Sequence, residues 1–199
     1  MLSQLFFIRH GDTAWSKSGQ HTGRTDISLS AEGEEHARRL AECLGGLAFS
    51  RVFVSPRQRA RRTCELAGLG ARAEVEPDLR EWDYGDYEGR RSVEIHEERP
   101  DWNLFRDGCP GGESPAQISD RADRLLVRLR SLEGTVALVS HGHFGRVLAV
   151  RWIGLPALDG QSFDLDPASV SILGYDHGRP LHPVISRWNA TPGPWENAR

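Results

Sequence analysis

The sequence contains little cysteine: Cys43, Cys64 and Cys109 are the three cysteines among 199 residues. Their number is odd and they lie far apart, which argues against a disulfide framework and against a zinc site. A chain of this length can bury enough apolar surface to fold without such cross-links. We therefore expect a reducing compartment, and the cytoplasm is the simplest one.

Long apolar runs are also missing. The amino-terminal run Leu5–Ile8 ends at Arg9 and has no basic flank, which predicts neither a signal peptide nor a membrane span. The 25 lysine and arginine residues nearly balance the 28 acidic ones, and the formal net charge is -3. This balance gives no general affinity for nucleic acid or for anionic membranes, so any affinity for an anion must be local.

Strand-like and helix-like segments alternate, which predicts an α/β layer fold built as one domain over residues 1–199. Ser114 opens the clearest helix, because Ser-Pro-Ala-Gln fits a capping box with proline at the first helical position. The other predicted elements are helices from Ser30 to about Leu44, from Ser55 to about Leu66 and from about His143 to Ile153, and strands Arg51–Val54, Val136–Val139, Val170–Tyr175 and Val184–Trp188.

Two stretches lie outside this alternation. Residues 85–112 are polar and turn-rich, with a short helix near Ser92–Glu98, and read as an insertion over one end of the sheet. The tail from about Thr191 is rich in proline and glycine, and we expect it to be loose. If Trp188 and Trp195 are exposed, they would suit a contact between two copies of the chain, so a homodimer is an open alternative.

Two buried strands end in nearly the same tripeptide. The strand Leu5–Ile8 is followed by Arg9-His10-Gly11, and the strand Val136–Val139 is followed by Ser140-His141-Gly142. If both strands lie in one parallel sheet, the two histidines emerge at the same edge, where such sheets bind their ligands. Imidazole can act as a nucleophile and guanidinium matches the geometry of a phosphate, so the pair favours phosphoryl transfer. The alternative is that each histidine only caps its strand.

Four arginines follow the second strand, and helical geometry separates them. At 100° per residue Arg59 faces inward, Arg57 and Arg61 point away, and Arg62 lies to the side. A buried arginine needs an anion, because an unpaired buried charge is costly. A structural carboxylate and a phosphate held jointly with Arg9 both satisfy this requirement.

A proton donor is expected in the acidic stretch 79–89. Glu81, Asp83, Asp86 and Glu88 all lie there, and spacing alone does not choose among them. A carboxylic acid beside an apolar ring can hold its proton and donate it to a leaving alkoxide.

Six short motifs in this order resemble the histidine phosphatase superfamily, with its phosphoglycerate-mutase-like fold, across most of residues 5–176. That fold implies a three-layer α/β/α sandwich with a mostly parallel central sheet. The motifs are Arg9-His10-Gly11, His21-Thr22-Gly23, Ser55-x-x-x-Arg59-Ala60-x-x-Thr63, Glu81-x-x-Tyr84-Gly85-x-x-x-Gly89, Gly112-Glu113-Ser114 and Ser140-His141-Gly142.

The resemblance implies a role for each matching residue. His10 is the nucleophile that becomes phosphohistidine, Arg9, Arg59 and His141 hold the phosphate, and Glu81 donates the proton. Further substrate contacts are expected from Thr22, Gly23, Ser16, His143 and Glu113. No cofactor and no metal is expected. A metal at His141-x-His143 is disfavoured, because a cation would compete with the arginines for the same anion.

Family resemblance leaves the reaction open between hydrolysis and mutase chemistry. Cofactor-dependent phosphoglycerate mutases carry an asparagine where this chain has Ser16, a lysine where it has Ser92, and a longer basic insertion. These departures favour hydrolysis. The stretch 80–89 resembles the branch of sedoheptulose-bisphosphatase-like enzymes and bacterial acid phosphatases. We therefore expect a phosphomonoesterase acting on small phosphorylated metabolites, such as sugar phosphates or bisphosphates. A cofactor-dependent mutase and a non-catalytic phospho-ligand binder are the alternatives.

Overall fold

The structure is a computed structural model that describes residues 1–177 and 179–191. One six-stranded sheet runs through the molecule. Its strands are β1 (Leu2–Arg9), β2 (Arg51–Val54), β3 (Ala73–Val75), β4 (Gly134–Ser140), β5 (Val170–Asp176) and β6 (Arg179–Ala190). The α-helices are α1 (Ala14–Ser18), α2 (Ala31–Leu44), α3 (Gln58–Leu66), α4 (Ser92–Glu98), α5 (Leu104–Asp107), α6 (Pro115–Arg130) and α7 (Gly142–Trp152).

The strand order is β3-β2-β4-β1-β5-β6. The first four strands of this order pair in parallel, and β5 and β6 add an antiparallel edge. β1 and β4 are direct neighbours, and Arg9 lies opposite Ser140 in their register. The residues that follow these two strands therefore emerge side by side at one edge of the sheet.

Helices cover both faces of the sheet. Leu40 of α2 and Ala60 of α3 belong to the apolar cluster on one face. Leu125 of α6 and Val147 of α7 belong to the cluster on the other face. The predicted three-layer α/β/α sandwich with a mostly parallel central sheet is confirmed. None of the helices formed by residues 1–177 and 179–191 is long and apolar enough to cross a membrane.

The predicted start of α3 is wrong. Ser55 and Pro56 do not begin the helix; Arg57 is its N-cap, and Gln58 is its first residue. Ser55 instead directs its hydroxyl oxygen at His141 Nε2, 2.7 Å away. A Ser-Pro pair is typical of a helix start, but here Ser55 directly follows β2 and bonds a residue distant in sequence. Ser114 does cap α6 with the predicted capping box.

The predicted insertion, residues 85–112, contains α4 over the predicted residues. It also contains the short helix α5 and a buried Trp102, whose indole donates to Gly108 O at 2.9 Å. Gly85 is needed where this segment turns back, because its φ is +50° and a Cβ there would lie 2.1 Å from Pro110 O. The segment is therefore more apolar inside than its sequence indicates.

Trp188 is not the exposed surface residue that the sequence suggests. It is half-buried, and its ring contacts Phe163 edge-on with centroids 5.4 Å apart. The second tryptophan of that prediction, Trp195, and the expected loose tail lie outside the described residues, except for Thr191.

Candidate active site

His10 and His141 meet at the edge of the sheet where β1 and β4 end. Their ring centroids are 5.1 Å apart, and both side chains are buried. Gly11 allows the chain to leave β1 against α2, because a Cβ there would lie 2.3 Å from Gly33 O. The prediction that two parallel strands bring these histidines together is confirmed.

The contacts of His10 fix its tautomer. Its Nδ1 lies 2.7 Å from Gly11 O, and a carbonyl can only accept, so Nδ1 carries the proton. Its Nε2 accepts a hydrogen bond from Arg59 Nε at 3.3 Å. Burial, followed by Arg59 and Arg9, holds the pKa of His10 well below its usual value. The ring is therefore neutral, with a lone pair on Nε2, as a nucleophile requires.

Arg59 is fully buried, as the helical geometry predicts. Its Nη1 donates to Thr25 O at 3.0 Å, and its Nη2 donates to Thr22 O at 2.9 Å. Arg9 donates from Nη1 to Leu165 O, and its buried Nε has no partner among the described residues. Burial lowers the pKa of both guanidinium groups. Arg59 is buried and Arg9 is half-buried, and both are held by carbonyls without a bonded carboxylate, so together they form a site for an anionic ligand.

Glu81 is the acid of its stretch that lines the cavity beside His10. Its Oε1 accepts from the backbone N–H groups of Trp82 and Phe144, at 2.9 and 2.8 Å. Its Oε2 accepts from the N–H of His143 at 3.1 Å. The first turn of α7 thus fixes the carboxyl group. The neighbouring Glu88 does not line the cavity. Its carboxylate accepts hydrogen bonds from the backbone N–H groups of residues 23 and 25.

A buried ion pair fixes the chain around Glu81. Arg121 of α6 donates to both carboxylate oxygens of Glu113, at 2.8 and 2.7 Å. The same guanidinium donates to Arg80 O at 2.8 Å and to Glu81 O at 3.3 Å. Burial opposes the charge on Glu113, but the hydrogen bonds and charge of Arg121, the N–H of Asp83 and the charge of Arg80 together outweigh it and lower the pKa of that carboxyl. Glu113 therefore positions the segment that carries the acid.

The cavity above His10 has a volume of about 210 Å³. Beyond the arginines and Glu81 its walls are neutral, and most of the side chains on them are polar. Burial lowers the pKa of His21 to about 4, and it lowers the pKa of His143 well below the usual value. The remaining neutral polar groups that line it are Thr13, Ser16, Gln20, Thr22, Tyr84 and Ser92. Such walls suit a ligand that carries hydroxyl groups.

Three of the expected substrate contacts line this cavity: Ser16, Thr22 and His143. Two others are placed differently. The N–H of Gly23 donates to Glu88 Oε1 at 2.9 Å, so it is not directed at a phosphoryl group. Glu113 pairs with Arg121 and does not line the cavity. In both cases a charged side chain distant in sequence binds the group that we expected to contact the substrate. Sequence spacing does not reveal such a contact.

Sequence reasoning missed Arg146, which also lines the cavity. Its Nε donates to Gly160 O at 2.8 Å and its Nη2 to Gln161 O at 2.9 Å. Its guanidinium lies 4.6 Å from the centroid of the Phe105 ring. Its position three residues after His143 on α7 was the available signal, because such residues share a helix face.

Positive charge at this site comes from arginines. Within residues 1–177 and 179–191, no three His, Cys, Asp or Glu side chains are grouped so that they could hold a metal ion.

Comparisons with known proteins agree with this geometry. The chain is 44% identical over 179 residues to an acid phosphatase of Mycobacterium tuberculosis, and the match covers 88% of each protein. It is 39% identical over 185 residues to sedoheptulose 1,7-bisphosphatase of Saccharomyces cerevisiae, covering 76% of this chain and 68% of that protein.

A solved structure of an open reading frame product from Mycobacterium tuberculosis superposes with a TM-score of 0.89 at 40% identity. The superposition covers 96% of this chain and 99% of that one. A family model matches residues 5–191. With the paired histidines and the arginines beside them, this match shows that the chain belongs to branch 1 of the histidine phosphatase superfamily.

Proposed function

We propose that this phosphatase is a metal-independent phosphomonoesterase that hydrolyses small phosphorylated metabolites through a phosphohistidine on His10. One observation carries the proposal. His10 Nε2 is unprotonated and lies against Arg59, at a cavity that Arg9 and Glu81 also line. A nucleophile, cationic groups for the phosphoryl oxygens and an acid for the leaving group thus share one small space.

In the first step, the lone pair on His10 Nε2 attacks phosphorus, and the bond from phosphorus to the ester oxygen breaks. The proton stays on Nδ1, where it donates to Gly11 O, and this hydrogen bond offsets the positive charge that develops on the ring. Glu81 gives its proton to the departing alkoxide. Arg9, Arg59 and His141 bind the three equatorial oxygens, where preorganised donors have their largest effect.

In the second step, water attacks phosphohistidine in line, and the bond from phosphorus to Nε2 breaks. Glu81, now ionised, takes the proton from the water and so regains the form that began the cycle. The hydrogen bonds from the start of α7 keep the carboxylate in place through both steps. Inorganic phosphate leaves, and His10 returns to its neutral tautomer.

The cavity supports a substrate class. Its neutral polar walls suit the hydroxyl groups of a sugar or polyol phosphate. Arg146 supplies a fixed cation on the same cavity, which suits a second anionic group such as that of a bisphosphate. The names of the two curated relatives, an acid phosphatase and a sedoheptulose bisphosphatase, point in the same direction.

A mutase would have to retain a bisphosphorylated intermediate and keep water away from phosphohistidine. Ser16 and Ser92 are small neutral side chains on the cavity wall and do not provide the amide and the cation of the mutases. Hydrolysis is therefore the reaction that the residues present support.

Hydrolysis is tested with a chromogenic phosphate ester in the presence of a metal chelator. We expect sustained phosphate release that the chelator does not change, and none from His10→Ala. The mutase alternative is tested with 3-phosphoglycerate and 2,3-bisphosphoglycerate followed by NMR. Interconversion faster than phosphate release would establish a mutase, and binding without turnover of any ester would establish a binding protein.

A further inference from the structure

Ser55 and His141 form a hydrogen bond that the mechanism above does not use. Ser55 Oγ lies 2.7 Å from His141 Nε2, and both side chains are fully buried. The other ring nitrogen, His141 Nδ1, is buried and has no partner among residues 1–177 and 179–191. The His10 ring is 5.1 Å away between centroids, so His141 packs directly against the proposed nucleophile.

The donors and acceptors around Ser55 settle which atom donates. A hydroxyl has one hydrogen and can accept through its lone pairs. Ser55 Oγ accepts from the N–H of Arg57 at 3.4 Å, and His141 Nε2 is its remaining partner among the described residues. If Nε2 donated as well, the hydroxyl hydrogen would be buried without an acceptor, which is costly. Ser55 therefore donates to Nε2.

A neutral imidazole carries one proton, so this hydrogen bond places it on Nδ1. Burial, followed by Arg59 and His10, holds the pKa of His141 well below its usual value, so the ring is neutral. The two site histidines then have the same tautomer with opposite consequences. His10 bonds its Nδ1–H to Gly11 O and offers a lone pair. His141 bonds its lone pair to Ser55 and offers Nδ1–H.

We propose that Ser55 is a positioning residue that holds His141 in the Nδ1–H tautomer, so that a neutral N–H donor faces the transferring phosphoryl group. The proposal rests on the proposed function, because the phosphoryl group is that of the substrate. Without the Ser55 hydroxyl, the ring can present an unprotonated nitrogen to an anionic oxygen. That arrangement replaces a hydrogen bond with repulsion between lone pairs.

The tautomer is measured directly on the whole protein, without turnover. Histidine labelled with ¹⁵N gives different signals for protonated and unprotonated ring nitrogens, and His141→Gln identifies the His141 signals by their loss. Near neutral pH we expect His141 with its proton on Nδ1 and an unprotonated Nε2. A proton on Nε2 would overturn the proposal whatever the activity, and this result does not depend on whether any Ser55 variant folds.

The functional consequence is tested with Ser55→Ala and Ser55→Thr. The alanine variant should lose about 10- to 100-fold in kcat/KM, as is typical when the partner that orients a site histidine is removed. It should also bind inorganic phosphate more weakly, and threonine should restore both because it keeps the hydroxyl. Ser169→Ala is the matched control, since Ser169 is equally buried and its Oγ has no partner among the described residues.

These measurements separate failure of the proposal from failure of the proposed function. An unchanged kcat/KM in a folded Ser55→Ala variant would overturn the role of Ser55 while hydrolysis stands. If wild-type protein hydrolyses no phosphate ester but His141 has its proton on Nδ1, the proposed function fails and the tautomer assignment stands.

Discussion

Arg59 Nε lies 3.3 Å from His10 Nε2 and donates a hydrogen bond to it. A buried cation held against an imidazole strongly disfavours the imidazolium form, because two positive charges would then share a dry site. In the proposed mechanism the same guanidinium binds a phosphoryl oxygen. One contact therefore keeps the nucleophile neutral and places the group that stabilises charge during its attack.

The first prediction concerns pH. The pKa of His10 is held well below its usual value by burial, Arg59 and Arg9. A lowered pKa keeps the ring neutral as the pH falls, so kcat/KM for p-nitrophenyl phosphate should not decrease between about pH 7 and about pH 5. An unperturbed histidine, with a pKa of about 6.5, would lose activity over this range. A decline of about tenfold by about pH 5 would contradict the assignment of a neutral His10.

The second prediction separates two arginines of α3. Arg59→Met removes a buried cation from the site, and kcat/KM should fall about 10²- to 10³-fold, as for loss of one preorganised donor. Arg61→Met changes an exposed arginine on the same helix and should leave kcat/KM unchanged. Thermal unfolding of both variants shows whether they are folded. Equal losses in the two variants would contradict the account of the site.

The third prediction concerns substrate choice. Arg146→Met should weaken kcat/KM for a sugar bisphosphate about 10- to 100-fold, the range expected for one hydrogen bond to a charged group. For p-nitrophenyl phosphate, which has no second anion, the change should be much smaller. The ratio of the two kcat/KM values is the measurement, because a general structural defect would lower both. An unchanged ratio would remove the second-anion role of Arg146.

The fourth prediction concerns stability. Burial lowers the pKa of His21 to about 4 in the folded chain, whereas an unfolded histidine titrates near about 6.5. The unfolded chain therefore takes up the proton first, and the free energy of unfolding falls as the pH drops from about 6.5 towards about 4. At about pH 5 this one group removes about 2 kcal/mol.

His21→Phe tests that prediction, because phenylalanine can keep the stacking on Tyr84, where ring centroids are 4.6 Å apart. Urea unfolding is measured at about pH 7 and about pH 5. The variant should lose less stability than the wild type between the two conditions, by about 2 kcal/mol. Identical losses would show that His21 is not buried in its neutral form.

Local patterns predicted the fold and part of the site. Helical geometry placed Arg59 inward, and the parallel strands placed His10 beside His141, because both follow from a regular repeat. Spacing did not choose Glu81 from its acidic neighbours, because that choice depends on backbone N–H groups of α7 about sixty residues later. Glu113 was assigned to the substrate for the same reason: its partner Arg121 faces it only in the folded chain.

Ser55 shows why a Ser-Pro pair after a strand is an ambiguous pattern. Ser-Pro after a strand is typical of a helix start, and the sequence gives no indication that the hydroxyl bonds His141, 86 residues away. Gly23 was expected at the phosphoryl group, but Glu88 binds its N–H from a distant turn. Contacts of this kind depend on tertiary structure, so neither composition nor periodicity reports them.

The central claim is that His10 carries the phosphoryl group, and rapid-quench labelling tests it most directly. Glu81→Gln is mixed with ³²P-labelled p-nitrophenyl phosphate, whose leaving group departs without a proton while the later attack by water lacks its base. The account predicts rapid accumulation of label on Nε2 of His10, stable in alkali and lost in acid, and none in His10→Ala. Turnover without label on the protein at any time would contradict it.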